Sequence, residues 1–329
     1  MVNPVRRLEL VHFQITKQCN LRCWFCGQWG KQGAFSARHE KELGQEDWME
    51  IIHQLEDWRQ KTGDNPSVLL WGGEPTLSPV FRPVAETLFE KNFPLAMVTN
   101  GTLLDRHIDL CKKAFRCIYI SVDGTPALHD AVRGKGTFQK ISDNLRLLAG
   151  GNAKVIIMTV LTEQVQNQLE AVLNSFLDLH PDQVLLQELI SMDKREAGEY
   201  QTWLEKTFGQ TAERVMSWVG PSTKHVPHSW YSQWIKEHPY PFEVQHLPHG
   251  REAFRPYCLS PLRHLHIAWD GSVGFCTDFT DFSLGNVRER NVMEMFTSKR
   301  AEIFAEEVRQ GHCITCEHCS WKNSQMFGI

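Results

Sequence analysis

The 329-residue sequence predicts an α/β fold of parallel strand and helix units, followed by a small cysteine-rich C-terminal domain. Three observations predict it. Apolar runs rich in β-branched residues alternate with helix-period segments from residue 8 to about residue 190. Beyond Met192 that rhythm gives way to a stretch rich in tryptophan and then to one rich in proline and histidine. Residues 257–329 then carry five of the ten cysteines around short strand and turn signals.

The expected strands are Leu8–Ile15, Ser67–Trp71, Pro94–Val98, Cys117–Val122, Lys154–Val160 and Gln183–Leu189. Between the first two, Trp48, Ile51, Ile52, Leu55 and Trp58 keep the i, i+3, i+4, i+7 rhythm of a helix that covers a sheet. Phe138, Ile141, Leu145 and Leu148 repeat it after the fourth strand. Right-handed units in series close into a doubly wound sheet or a partial barrel, and both hold ligands at the carboxyl ends of the strands. Residues 1–191 are expected to form this unit and 192–256 a helical connector or cap containing Trp203, Trp218, Trp230 and Trp234. Residues 257–329 are expected to form a separate small domain, with a hairpin at Asp270-Gly271.

Composition narrows the function classes. With 42% hydrophobic and 22% charged residues, the chain has enough apolar material for a large core, which excludes a disordered protein. Lysine and arginine total 35 against 39 acids, which argues against a nucleic-acid or anionic-membrane surface. The apolar run Val155–Leu161 is far shorter than the ~20 residues of a membrane span, and residues 1–8 lack an apolar signal core. A cytoplasmic location is expected, and there closely spaced thiols point to metal ligation rather than disulfides. The scattered histidines, among them His225, His228, His238, His246 and His249, form no recognised metal motif.

The first cysteines follow the first strand as ITKQCNLRCWFCGQW, a C-x3-C-x2-C spacing that brings Cys19, Cys23 and Cys26 onto one loop. Three thiolates leave one coordination position of a four-iron cluster open, whereas a structural zinc site takes four ligands. On spacing alone, zinc and a distant fourth thiolate stay open as alternatives. The second strand ends in Gly72-Gly73-Glu74-Pro75, where small residues permit close backbone approach and a carboxylate is available to a cation. Alone, such a tetrapeptide is an ordinary turn.

Together the cysteine triplet, the aromatic Phe25 before its third member and the Gly72–Pro75 element resemble the radical S-adenosylmethionine (radical SAM) superfamily. The resemblance implies a partial (β/α)6 TIM-like barrel and a four-iron cluster on Cys19, Cys23 and Cys26. It implies that Phe25, Gly72, Gly73, Glu74, Pro75, Ser121 and Arg133 bind S-adenosylmethionine, with Glu74 receiving the methionine ammonium. For Ser121 and Arg133 the alternatives are turn chemistry and a solvated helix-end cation. Cys111 and Cys117 are read as buried or incidental thiols.

Downstream, Cys258-x12-Gly271-x4-Cys276 precedes Cys313-x2-Cys316-x2-Cys319. The bare spacing suits a zinc ribbon. The resemblance extends to the SPASM/twitch extension of radical SAM enzymes and implies one auxiliary four-iron cluster. Its ligands are then Cys258, Cys276 and two of Cys313, Cys316 and Cys319. A full SPASM domain has seven cysteines and two clusters, so five mark a departure. Asp278 is a candidate base for a substrate proton, with a turn former as its alternative.

The resemblance implies an oxidoreductase. Reductive cleavage of S-adenosylmethionine gives a 5′-deoxyadenosyl radical, which abstracts a hydrogen atom for oxidative modification of a peptide or protein side chain. The alternative substrate is a small-molecule alcohol or sugar. A one-electron reductase such as flavodoxin or ferredoxin is the implied partner. A rival from another class is a non-catalytic iron–sulfur or zinc-binding protein on the same fold, and its mark would be a damaged Gly72–Pro75 element.

Overall fold

The computed structural model describes residues 6–29, 33–34, 41–220, 224–252 and 255–320. Its strands are β1 (Leu10–Gln14), β2 (Ser67–Trp71), β3 (Leu95–Thr99), β4 (Cys117–Ser121), β5 (Lys154–Leu161), β6 (Gln183–Glu188), β7 (Glu243–Leu247), β8 (His264–Ile267), β9 (Ser272–Gly274) and β10 (Gly285–Asn286). They form one sheet in the order β10-β9-β8-β1-β2-β3-β4-β5-β6-β7. From β8 through β1 to β7 every pairing is parallel, as crossover helices require. The pairs β8–β9 and β9–β10 are antiparallel, which places the expected hairpin at Asp270-Gly271.

Helices α1 (Gln45–Thr62), α2 (Phe81–Glu90), α3 (Ile108–Ala114), α4 (Pro126–Arg133), α5 (Thr137–Leu148), α6 (Glu163–Asn167) and α7 (Leu169–Ser175) connect the first six strands. In α1, Trp48, Ile51, Ile52 and Leu55 are buried, and the Trp48 ring lies 4.8 Å from that of Phe13 on β1. Burial of each such side chain contributes about 1.5–3 kcal/mol, which anchors the helix to the sheet. Gly63, at φ +77°, ends α1 by donating its N–H to the Arg59 carbonyl.

Alternation along the strands divides the sheet into two faces. Val11, Phe13, Val68, Leu70, Ile118 and Ile120 point into the core shared with the helices. Leu10, Leu69, Ala96, Tyr119, Ile156, Met158, Leu185 and Leu247 fill a second cluster on the other face, the interior of the partial barrel. Cys111 belongs to the first core and Cys117 to the second, so both are packing thiols. The described helices include none long and apolar enough to cross a membrane.

Two features go beyond the expected division of the chain. Residues 192–256 do contain α8 (Lys194–Phe208) and α9 (His228–Glu237), but also β7, which extends the barrel sheet beside β6. Its sequence EVQHL offers no apolar run, and only its last two residues are buried. Residues 257–320 hold α10 (Ser260–Arg263), α11 (Val292–Phe296) and α12 (Lys299–Arg309), yet they share the same sheet because β8 pairs with β1. The C-terminal part also packs on α8 through stacked rings of Phe282 and Phe304 beside Phe208, and through a 2.8 Å hydrogen bond from Trp203 Nε1 to Glu307.

Candidate functional site

Beyond β1 the chain crosses the carboxyl ends of the strands, and there Cys19, Cys23 and Cys26 line a cavity of about 220 Å³. The Cys26 N–H donates to the Cys23 carbonyl at 3.1 Å, folding the intervening Trp24 and Phe25 into a tight turn. Sulfur atoms receive donors as well. Leu21 N–H lies 3.4 Å from Cys19 Sγ, and Trp29 N–H lies 3.3 Å from Cys26 Sγ. None of the ten cysteines forms a disulfide. Burial pushes the Cys19 thiol up to about 11 and raises that of Cys23, so these ligands stay protonated without a positive partner. A metal centre supplies that charge, and the three-sulfur donor set fits an iron–sulfur cluster.

Gly72 and Gly73, at the end of β2, line the same cavity. A Cβ on Gly72 would fall 2.4 Å from the Thr16 carbonyl oxygen, and one on Gly73 would fall 2.2 Å from that of Gln18. Only glycine permits this approach, which lets the Gly73 and Glu74 N–H groups donate to Thr16 and Gln18 at 2.9 and 2.7 Å. The cysteine loop is thereby fastened to β2.

Phe25, Ser121 and Arg133 also line the cavity, whereas Glu74 and Pro75 stand behind it. Glu74 is fully buried. Its carboxylate accepts from Thr76 N–H at 3.1 Å, Thr76 Oγ1 at 2.5 Å, Thr99 Oγ1 at 2.7 Å and Asn100 N–H at 2.7 Å. Burial nevertheless raises its pKa above the ordinary carboxyl value. These contacts tie the end of β2 to the end of β3. Pro75 is buried at the start of a short 3-10 turn.

Arg133 is no solvated helix-end cation. Its side chain is 10% exposed, and its Nε donates to Asp123 Oδ2 at 2.6 Å. Burial by itself would lower the guanidinium pKa, but the Asp123 charge overrides it and raises the value. The other Asp123 oxygen accepts from Val160 N–H at 2.9 Å, so β5 fixes the pair beneath the cavity. Asp123 is a site residue that sequence reading passed over, although it stands within Ser121-Val122-Asp123-Gly124.

A second cavity, of about 210 Å³, lies inside the barrel mouth and is bordered by Cys258, Cys276, Cys316 and Cys319. Four thiols bordering one cavity suit a fully ligated cluster, and the Cys313 thiol lies against that of Cys316. Cys313 is buried, with Sγ 3.2 Å from Thr315 Oγ1. Leu69, Trp71, Met158 and Phe275 supply apolar walls, and His12 and His264 face them from β1 and β8. Burial lowers His264 to about 4, so it is neutral at ordinary pH. These histidines were not singled out from sequence, because their inward direction depends on strand register.

Val98, Gln187 and Asp278 line both cavities. Asp278 is held from two sides: its carbonyl accepts from Trp218 Nε1 at 3.0 Å, and its Oδ2 lies 3.2 Å from Thr277 Oγ1. Asp278 thus stands between the two cysteine-lined cavities.

Comparison with known proteins agrees with this geometry. The profile of the radical SAM superfamily matches residues 13–176, and that of the SPASM iron–sulfur cluster-binding domain matches residues 258–320. The Fe-coproporphyrin III synthase of Methanosarcina barkeri is 25% identical over 339 residues, covering 95% of this chain and 80% of its own. Among solved structures, Streptococcus suis SuiB bound to its precursor peptide SuiA superposes with a TM-score of 0.64 at 14% identity, covering 96% of this chain and 71% of that one. Native anSMEcpe with bound AdoMet and the Kp18Cys peptide gives 0.61 at 18% identity, covering 96% and 87%. At these identities the structural likeness is one of fold.

Proposed function

This chain belongs to the radical SAM superfamily and carries a C-terminal SPASM iron–sulfur domain, and from that premise we propose that it oxidises a side chain of a peptide or protein. The observation that carries the reading is the shared wall of Val98, Gln187 and Asp278 between the two cysteine-lined cavities. When bound, the front cluster with S-adenosylmethionine supplies a 5′-deoxyadenosyl radical that takes a hydrogen atom, and an auxiliary four-iron cluster supplies an electron acceptor.

The chain's own residues do the rest. Cys19, Cys23 and Cys26 hold the front cluster. Phe25, Gly72, Gly73, Ser121 and Arg133 line the place for S-adenosylmethionine, where the Arg133 charge, oriented by Asp123, suits the methionine carboxylate. Glu74 braces β2 against β3, and Pro75 starts the turn behind it. Cys258, Cys276, Cys316 and Cys319 hold one auxiliary cluster. Asp278 takes the proton that leaves the substrate as its radical is oxidised. In this assignment residues 1–191 generate the radical, 192–256 cap the site and 257–329 hold the auxiliary cluster, with flavodoxin or ferredoxin in the cytoplasm as reductant.

The cavity lining supports the choice of substrate. The barrel cavity has walls of Leu69, Trp71, Met158 and Phe275, which suit an inserted side chain better than a heavily hydroxylated sugar. The peptide complexes of SuiB and anSMEcpe, which share the fold, lend weight to the same reading.

Mass spectrometry tests it. Anaerobically reconstituted protein, given S-adenosylmethionine, a reductant and deuterated peptides encoded beside its gene, is expected to yield deuterated 5′-deoxyadenosine and a peptide two hydrogens lighter. Turnover confined to a non-peptide substrate would contradict the proposal.

A further inference from the structure

The geometry points to a divalent transition-metal site of the zinc class on Glu188, His225 and Glu252, separate from both cysteine groups. Glu188 ends β6, His225 precedes α9, and Glu252 follows β7, so the barrel and the two parts of the cap meet there. One ligand atom from each residue lies within 4.8 Å of the others. Imidazole with carboxylates is a donor set for zinc, ferrous iron or manganese, and it contains no sulfur.

Both carboxylates are held in the same manner. Glu188 Oε2 accepts from His249 N–H at 2.8 Å, and Glu252 Oε2 accepts from His228 N–H at 2.9 Å. Each therefore has one oxygen that accepts from backbone; in Glu188 that oxygen also lies 3.2 Å from His249 Nδ1. Glu252 Oε1 lies 3.4 Å from His225 Nε2, and Glu188 Oε1 lies 3.4 Å from His246 Nε2. Such support of ligand carboxylates by surrounding donors is typical of metal sites.

His246 is the independent second observation. Its side chain is 0% exposed, stacked on Tyr231 with ring centroids 3.9 Å apart. Its Nδ1 meets His228 Nδ1 at 2.8 Å, whereas no hydrogen bond of good geometry reaches Nε2. That nitrogen, beside Glu188 Oε1, backs a ligand carboxylate from the buried side, while the ligand atoms that gather within 4.8 Å are those of Glu188, His225 and Glu252. The ion would also offset two carboxylate charges, one of them on a side chain only 7% exposed. Because Glu188 lines the front cavity, an ion here borders the reaction site.

The test uses reconstituted holoenzyme, loaded anaerobically with one equivalent of zinc and passed through a desalting column. Metal analysis should return one zinc per chain, and zinc-edge X-ray absorption should show nitrogen and oxygen neighbours at about 2.0–2.2 Å without sulfur at about 2.3 Å. The His225→Ala/Glu252→Ala variant should bind zinc at least tenfold more weakly while its iron content stays unchanged. His225 is largely exposed, so the single variant His225→Gln, expected to weaken zinc binding as well, guards against a folding artefact. No zinc in the wild-type protein, sulfur neighbours in its spectrum, or equal retention by the variants would overturn the inference.

Discussion

At the front of the chain, three thiols share a cavity with three glycines, a serine and an ion-paired arginine; at the back, four thiols border a cavity walled by apolar side chains. The ligand atoms are the same in both, and their number and neighbours differ. Three sulfurs on a four-iron cluster leave a position for a polar cofactor, and the glycine backbone and Arg133 stand ready for it. In the proposed assignment four sulfurs complete the set at the back, so that cluster offers electrons rather than an open iron, and the apolar walls beside it offer the place for substrate. The contrast teaches that the surroundings of a cysteine group, more than its spacing, tell an open cluster from a closed one.

The largest expected effect breaks the front region outright. Replacing Cys19, Cys23 and Cys26 together by Ala should abolish 5′-deoxyadenosine formation while the iron bound by the back cysteines remains, as measured by chromatography and iron analysis. Next is Gly73→Ala. The added methyl would lie 2.2 Å from the Gln18 carbonyl oxygen, and backbone must move to admit it. At about 1–3 kcal/mol for overpacking, cleavage of S-adenosylmethionine should fall by about tenfold or more. A Gly73→Ala enzyme with unchanged affinity and rate would show that the close approach is dispensable.

Glu74→Gln sharpens the comparison, because it asks whether this carboxylate serves the cofactor or the loop. The amide presents an N–H2 to donors now satisfied by oxygen, at an expected cost of about 1–3 kcal/mol. If Glu74 braces β2 against β3, the urea midpoint and S-adenosylmethionine affinity fall together. A weaker affinity with unchanged stability would instead make it an ammonium ligand.

A slighter effect is a pH dependence of the front wall. His129 is fully buried, its Nδ1 accepting from Asp123 N–H at 3.1 Å, and burial followed by the Arg133 charge lowers it to about 4 from 6.5. Below pH 6.5 the unfolded chain binds more protons at this position than the folded one. Its contribution to stability is thus present above pH 6.5 and is lost as pH falls toward 4, by up to about 3 kcal/mol. In His129→Gln that slope in denaturation midpoints should flatten.

The two regions also differed in what their sequence disclosed. The front site was legible because its parts are local: a triplet on one loop and Gly72-Gly73 at a strand end, in a βα rhythm that marked all six central strands. The brace formed by Glu74 was not, because Thr99 and Asn100 reach it from another strand. The back site needed folding to assemble, since Cys258 and Cys276 lie far in sequence from Cys316 and Cys319. Strand β7 escaped because EVQHL is short and half exposed, and His12 and His264 escaped because only register turns them inward. Asp123 was in plain view, but its importance comes from Arg133, ten residues away.

The division of labour between the regions is tested most directly by a Cys258→Ala/Cys276→Ala variant, after circular dichroism has shown it to be folded. Iron analysis and single-turnover assays with substrate are read together on the same sample. The account predicts about four irons per chain in place of about eight, with 5′-deoxyadenosine still formed and oxidised product missing. A folded variant that lacks the back iron and still gives the normal yield of oxidised product would contradict it.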